Sequence, residues 1–308
     1  MTDMPAIGVL GAGAVGQAIA GALVTSRFCG ELLIASRTID QAAALADDLD
    51  DMRLTLGSPT RPRACRSTDL AGCHALVIAA RARFTNHHRA DVRMGGAVAN
   101  GALIRALAQD VVADCPGSVL VVTNPVDLMA RLLAETSGHR HVYGVGSSLD
   151  TARYRLLLAR HLGVPADQIA GHVIGEHGDA AVLCTTTTTV TGAPLPAPLP
   201  LADIRAALTR RPDQIRAGIG RTRTGPAGAV LAALRHVLGR GGHDLIELSR
   251  PWRDGVWLGL PISFAEHEPC VRMPRLSAAE AHQLDAAVAK LAAAYQPLAH
   301  LNPIGEPL

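Results

Sequence analysis

Lysine is almost missing from this chain: Lys290 is the only one among 29 basic residues, a skew toward arginine that genome base composition explains as well as function does. Aromatic residues make up 3 %, and no basic run is interleaved with them. With 29 basic against 27 acidic residues the net charge is +2. That composition argues against a nucleic-acid partner. No C-x-x-C pair occurs among the six cysteines, Cys29, Cys65, Cys73, Cys115, Cys184 and Cys270. Scattered thiols of this kind indicate a reducing compartment, the cytoplasm, with most of them serving as small core residues. The amino terminus, Met1-Thr2-Asp3-Met4, has no cationic start and runs directly into a short apolar strand, so it reads as neither a signal peptide nor a membrane anchor. His87-His88 and His139-Arg140-His141 invite a metal, yet H-E-x-x-H and cysteine-histidine spacings are both absent, and no metal is expected. No G-x-S-x-G elbow is present for a serine nucleophile.

What the chain does have is length and apolar content. Its 308 residues, 48 % hydrophobic, exceed the usual single-domain length of roughly 100–200 residues, which implies two lobes around one cleft. Pro5 to Leu10, Glu31 to Ser36, Ala75 to Ala80 and Ser118 to Thr123 are short apolar runs separated by helical stretches, among them Val15 to Ser26 and Ile39 to about Asp51. Alternation of this kind predicts an α/β fold with a doubly wound parallel (Rossmann) sheet. The pattern changes near Ser148. A helix from Asp150 to Leu162 is followed by expected strands at Gly171 to Glu176 and Ala181 to Thr191, the latter holding the threonine run Thr185 to Thr189. A proline-rich loop, Ala193 to Leu201, then precedes three helical segments, the last from Ser277 to Ala294. Residues 1–148 are therefore expected to form a dinucleotide-binding domain, and 149–308 an α+β substrate domain.

Gly11-Ala12-Gly13-Ala14-Val15-Gly16 follows the first strand and opens the first helix. In G-x-G-x-x-G the first glycine makes the turn, the second admits a pyrophosphate and the third lets helix and strand pack closely. Gly11, Gly13, Val15 and Gly16 are accordingly candidate cofactor-binding residues. Twenty positions after Gly16, where an NAD enzyme presents an acid to the ribose, this chain has Ser36-Arg37-Thr38. A small hydroxyl beside a guanidinium suits a 2′-phosphate, which predicts NADP as the preferred cofactor. Use of NAD without an acidic clamp is the alternative, with Arg37 a solvated charge.

Two further strings carry chemistry: Leu149-Asp150-Thr151-Ala152-Arg153-Tyr154-Arg155 and Ile174-Gly175-Glu176-His177-Gly178-Asp179. Asp150 and Arg153, three residues apart, project from one helix face. Histidine is the side chain able both to take and to give a proton near neutrality, as interconversion of an alcohol and a carbonyl requires. With Gly11 to Gly16 and Thr123-Asn124-Pro125-Val126-Asp127, these strings make the chain resemble the lactate/malate dehydrogenase family over nearly its whole length. Leu149 to Arg155 looks most like the lactate-type branch, which includes lactate-like malate dehydrogenases.

The resemblance implies roles. His177 matches the acid/base, Asp150 the residue that orients it, and Arg153 the fork for a substrate carboxylate. Asn124 matches a residue that touches both cofactor and substrate oxygen, and Thr224 a position near the substrate's side group. After the Ala75 to Ala80 strand the family has a mobile loop with a side-group reader and, six residues on, an arginine that polarises the carbonyl. Arg83 and Arg89, with Asp91 beyond, fit that spacing. Counting back from Asn100 instead selects Arg93, with His87 as reader. The loop's usual Pro-Gly is replaced by Phe84-Thr85-Asn86-His87-His88. Arg81, Arg83, Arg89 and Arg93, joined by Arg221 and Arg223, point to a small anionic substrate, malate or oxaloacetate first and a specialised biosynthetic 2-oxo acid second. A non-catalytic dinucleotide-binding regulator is the rival from another class. Relatives form dimers or tetramers, so a homodimer or homotetramer is expected.

Overall fold

The computed structural model describes residues 4–83, 94–196, 199–265 and 268–300. Strand β1 (Ala6–Leu10) is buried beyond its first residue, as a strand covered on both faces must be. The chain turns at Gly11 into helix α1 (Ala14–Ser26), then continues through β2 (Glu31–Ala35) and α2 (Ile39–Leu56). Thr38 caps α2 by accepting from the Gln41 backbone N–H. This helix runs past the expected end near Asp51. It stops only where Gly57, at φ 60°, turns left-handed and returns its N–H to the carbonyls of Arg53 and Leu54. Next come β3 (Arg61–Ala64), β4 (Ala75–Ile78), α3 (Ala97–Leu107), β5 (Ser118–Val121), α4 (Val126–Ser137) and β6 (Val142–Gly144). β3, with the sequence Arg-Pro-Arg-Ala, has no apolar run to announce it and lies at the sheet edge, where proline is tolerated.

These six strands are parallel in the order β3-β2-β1-β4-β5-β6. The expected doubly wound sheet is thus present. Its strand order reverses between β1 and β4, and ligands of such sheets bind at the carboxyl ends of the strands flanking that reversal.

The second half begins with α5 (Ser147–Leu162) and continues through β7 (Ile169–Ala170), β8 (Val173–Gly175), β9 (Ala181–Leu183), β10 (Thr189–Val190) and β11 (Ala193–Pro194). Helices α6 (Leu201–Ile219) and α7 (Thr224–Val237), strands β12 (Ile246–Pro251), β13 (Trp257–Ala265) and β14 (Glu268–Val271), and helix α8 (Ala278–Ala299) complete it. One expectation fails here. The threonine run is not one strand: Thr185–Thr187 form a 3-10 turn between β9 and β10. Side-chain bonding outcompetes the ladder, because the Thr185 hydroxyl and the Thr186 N–H donate to Glu280 and the Thr188 hydroxyl donates to the Cys184 carbonyl. The expected three helices are present as α6, α7 and α8, with an unforeseen β12–β13 hairpin between the last two, whose β12 continues the sheet beyond β6 through Ser249 and Gly144. The two halves therefore share one sheet of eleven strands and a large hydrophobic core running from Ile7 and Val9 to Leu248 and Leu260, with a smaller cluster around Tyr154 and Leu158 in the second half. Four of the six cysteines, Cys29, Cys73, Cys115 and Cys184, are buried in it, and all six are free thiols. Burial pushes the Cys73 thiol up to about 12, which suits a core residue rather than a nucleophile. No helix among the described residues is long and apolar enough to cross a membrane.

Candidate active site

At the β1/β4 reversal a cavity of about 390 Å³ is lined by Gly11, Ala12, Gly13, Ser36, Arg37 and the Ala79–Arg83 segment. Gly11 has φ 116°, and a Cβ there would press within 2.7–2.9 Å of the Ala79–Ala80 backbone. A Cβ on Gly16 would run into the Gly11 carbonyl, so that glycine sets how closely α1 approaches the turn. Gly13 is different: a Cβ there would meet no protein atom within 4 Å, and this residue is the N-cap of α1. α1 has no side-chain cap and no acid in its first turn. The turn leading into α1 thus lines the cavity and the helix N-terminus has no side-chain cap, an arrangement that suits a pyrophosphate. The Ser36 hydroxyl accepts from the Ala12 N–H (3.4 Å) and donates to Gln41 (2.7 Å), tying the turn to the end of β2. The residues present fit a dinucleotide.

A second cavity, about 190 Å³, opens beside Val15 and is lined by Asn124, Gly146, Leu149, Arg153, His177 and Thr222 among others. His177 Nδ1 lies 2.5 Å from Asp150 Oδ2, and Arg153 donates to the other Asp150 oxygen at 3.3 Å. All three side chains are nearly buried, at 9, 6 and 6 % exposure respectively. Asp150 sits in the first turn of α5, where the helix dipole favours a carboxylate. With Nδ1 facing Asp150, the other imidazole nitrogen is the one left for a substrate. Gly146 permits the packing: a Cβ there would stand 2.5 Å from the imidazole Cγ. The Asn124 side chain is exposed at this cavity, while its carbonyl accepts from Asn100 Nδ2 at 2.7 Å.

Of the residues singled out in the sequence, the structure brings together His177, Asp150, Arg153, Asn124 and Val15 here, and Gly11, Gly13, Ser36 and Arg37 at the first cavity. It does not bring Arg83 to His177; Arg83 lines the glycine-turn cavity. Thr224 lines a third cavity with Arg153, whereas its neighbour Thr222 faces both. Arg89, Arg93, His87 and Asp91 lie outside the described residues.

Sequence reasoning missed the support beneath His177. Asp127, wholly buried in the first turn of α4, accepts the His177 backbone N–H at 2.9 Å. An acid flanked by Val126, Leu128 and Met129 was the available signal. On the other side, the sole lysine holds the loop: Lys290 pairs with buried Glu176 at 2.7 Å, and Glu176 also accepts the Ala180 N–H. Burial, partly opposed by the His177 N–H, raises the Asp127 carboxyl from 3.8 to about 6. Between these values the folded protein holds a proton that the unfolded chain releases. Stability from this group is therefore full below 3.8 and is lost as pH rises toward 6. Asp127→Asn keeps an acceptor for His177 but removes the titration. Chemical denaturation at about pH 4 and about pH 7 should show the wild type losing about 2 kcal/mol more than the variant on going up. Equal losses in both would contradict this placement of the charge.

Comparison with known proteins agrees with this geometry. Residues 6–144 match the lactate/malate dehydrogenase NAD binding domain, and residues 147–205 the alpha/beta C-terminal domain of the same family. An L-lactate dehydrogenase of Deinococcus radiodurans is 32 % identical over 272 residues, covering 83 % of this chain and 86 % of that protein. One of Allorhizobium ampelinum is 32 % identical over 256 residues, covering 79 and 81 %. Among solved structures, a lactate dehydrogenase from a Medee basin deep-sea metagenome library superposes with a TM-score of 0.89 at 21 % identity, covering 97 % of this chain and 100 % of that one. Cryptosporidium parvum malate dehydrogenase superposes with a TM-score of 0.88 at 21 % identity, covering 96 and 99 %. The glycine turn at the sheet reversal, the paired His177 and Asp150, and these matches across both halves identify the chain as a member of the lactate/malate dehydrogenase family, oxidoreductases of 2-hydroxy and 2-oxo acids.

Proposed function

We propose that this protein transfers a hydride between NADP(H) and a small dianionic 2-oxo acid of the oxaloacetate kind, interconverting it with the 2-hydroxy acid. The observation that carries the reading is the His177–Asp150–Arg153 set, which offers a proton and a carboxylate fork within one cavity beside the glycine turn. The bound dinucleotide supplies or takes up the hydride at the substrate's C2. In the reducing direction His177 gives its Nε2 proton to the C2 oxygen, and Asp150 stabilises the imidazolium beforehand and holds the ring afterwards. Arg153 binds the carboxylate in two parallel contacts, which fixes C2 relative to His177. Asn124 adds a side-chain amide at the same cavity. Arg89, or Arg93 in the second register, polarises the carbonyl from the loop. Arg83 and Thr224 are proposed to read the substrate's side group. Residues 1–148 carry the cofactor and 149–308 the substrate, in a cytoplasmic homodimer or homotetramer.

NADP preference rests on Ser36 and Arg37 at the end of β2, both lining the glycine-turn cavity with no acid in the place of Ser36. The guanidinium can pair with a 2′-phosphate, and a charged hydrogen bond of that kind contributes about 1.5–3 kcal/mol. With oxaloacetate as substrate, kcat/KM should be at least about tenfold higher with NADPH than with NADH. Arg37→Gln should erase most of that difference by raising the KM for NADPH. Equal or better efficiency with NADH in the wild type would refute the preference.

A further inference from the structure

We propose that the cavity enclosed by α5, α6 and α7 is a subsite for the substrate's side group. It selects a 2-oxo acid longer than oxaloacetate, apolar along its middle and anionic at its far end. This rests on the hydride-transfer reading and specifies its substrate.

The cavity holds about 210 Å³ and shares Leu149, Arg153 and Thr222 with the His177 cavity, so the two adjoin across Arg153. A carboxylate on Arg153 with its C2 oxygen toward His177 leaves the side group free to pass between Leu149 and Thr222. At roughly 30 Å³ per water-sized group, the space beyond accommodates about seven nonhydrogen atoms. A methyl group would fill one of these places, and the acetate arm of oxaloacetate little more than half.

The lining states the chemistry. Leu149, Ile215 and Ile219 give the cavity apolar walls, and Ile219 stands 58 % exposed, so an apolar ligand segment would remove its surface from water. Arg211 and Arg223 also line it, and neither side chain has an acid or hydrogen-bond partner among the described residues. Away from the cavity on α6, Arg216 pairs with Asp213 at 2.8 Å, and Arg205 donates to the Ala181 carbonyl and to Gln283. At the cavity these two guanidinium groups would meet an anion beyond an apolar stretch. α6 reaches both cavities at once, since Pro212 lines the first and its neighbour Arg211 the second. A substrate spanning both would therefore be read by one helix.

The test is steady-state reduction of pyruvate, oxaloacetate, 2-oxohexanoate and 2-oxoadipate by the wild type, Arg211→Met and Arg223→Met, each first verified to bind NADPH by fluorescence. In the wild type, 2-oxoadipate should exceed both pyruvate and the uncharged-tail 2-oxohexanoate at least tenfold in kcat/KM. Each methionine variant should lower the ratio of 2-oxoadipate to 2-oxohexanoate about tenfold, and Arg211→Lys should restore part of it. Two independent arginines are read, so a variant that misfolds leaves the other to decide. Preference for pyruvate or oxaloacetate, or a ratio unmoved in both variants, overturns the subsite and spares the hydride-transfer reading. Turnover of none of the four acids overturns both.

Discussion

His177→Asn should lower kcat by about 10²–10⁴-fold while NADPH still binds, because the substitution removes the proton donor that Asp150 aligns in the cavity and leaves the glycine turn untouched. Asparagine resembles one edge of the imidazole and can still meet Asp150, so the 2.5 Å contact need not collapse. What it cannot do is hand over a proton. Asp150 acts through the ring, and the two residues form one unit. Asp150→Asn should cost nearly as much, and the double variant little more than His177→Asn alone. Additive losses in that cycle would mean that Asp150 serves the substrate directly.

Arg153 carries the second large effect. Its guanidinium is almost fully buried, is anchored by Asp150 at 3.3 Å and lines both substrate-side cavities. Two charge-assisted hydrogen bonds to a carboxylate, after the cost of ordering, contribute about 4 kcal/mol. Arg153→Met should thus reduce kcat/KM for every 2-oxo acid about a thousandfold, chiefly through KM. Lysine keeps the charge but presents a point donor where a planar fork is needed, so Arg153→Lys should recover only part of the loss. Complete recovery with lysine would show that charge alone, without bidentate geometry, holds the substrate.

How much of this was legible from residues alone follows from the range of the interactions involved. The glycine turn, the parallel strands and the placing of Asp150 and Arg153 on one helix face are written in local spacing, and they appear where the spacing put them. The contact of His177 with Asp150 joins residues 27 apart; it was inferred from two strings that a known family carries together. Interactions with no local pattern were not read. Asp127 supports His177 across 50 residues, and Lys290 reaches Glu176 across 114. The β12–β13 hairpin was passed over because its apolar run, Val256 to Phe264, follows Pro251-Trp252-Arg253-Asp254-Gly255 and has no helix beside it to mark an α/β repeat. The threonine run misled for the opposite reason. Its β-branched composition suits a strand, but its hydroxyls and amides are taken by the distant Glu280. Arg83 was placed by counting and Thr224 by resemblance, and they line the glycine-turn cavity and the third cavity respectively, not the cavity of His177.

The central claim is that an imidazole steered by an aspartate, beside a guanidinium fork, serves direct hydride transfer to C2 of an anionic 2-oxo acid. Single-turnover reduction with NADPH deuterated at the transferring position of C4, followed by mass spectrometry of the product, tests it most directly. One deuterium on C2 of a 2-hydroxy acid, absent from the His177→Asn reaction over the same interval, is the predicted result. A hydroxy acid with solvent hydrogen at C2, or no product from any 2-oxo acid despite bound NADPH, would contradict it.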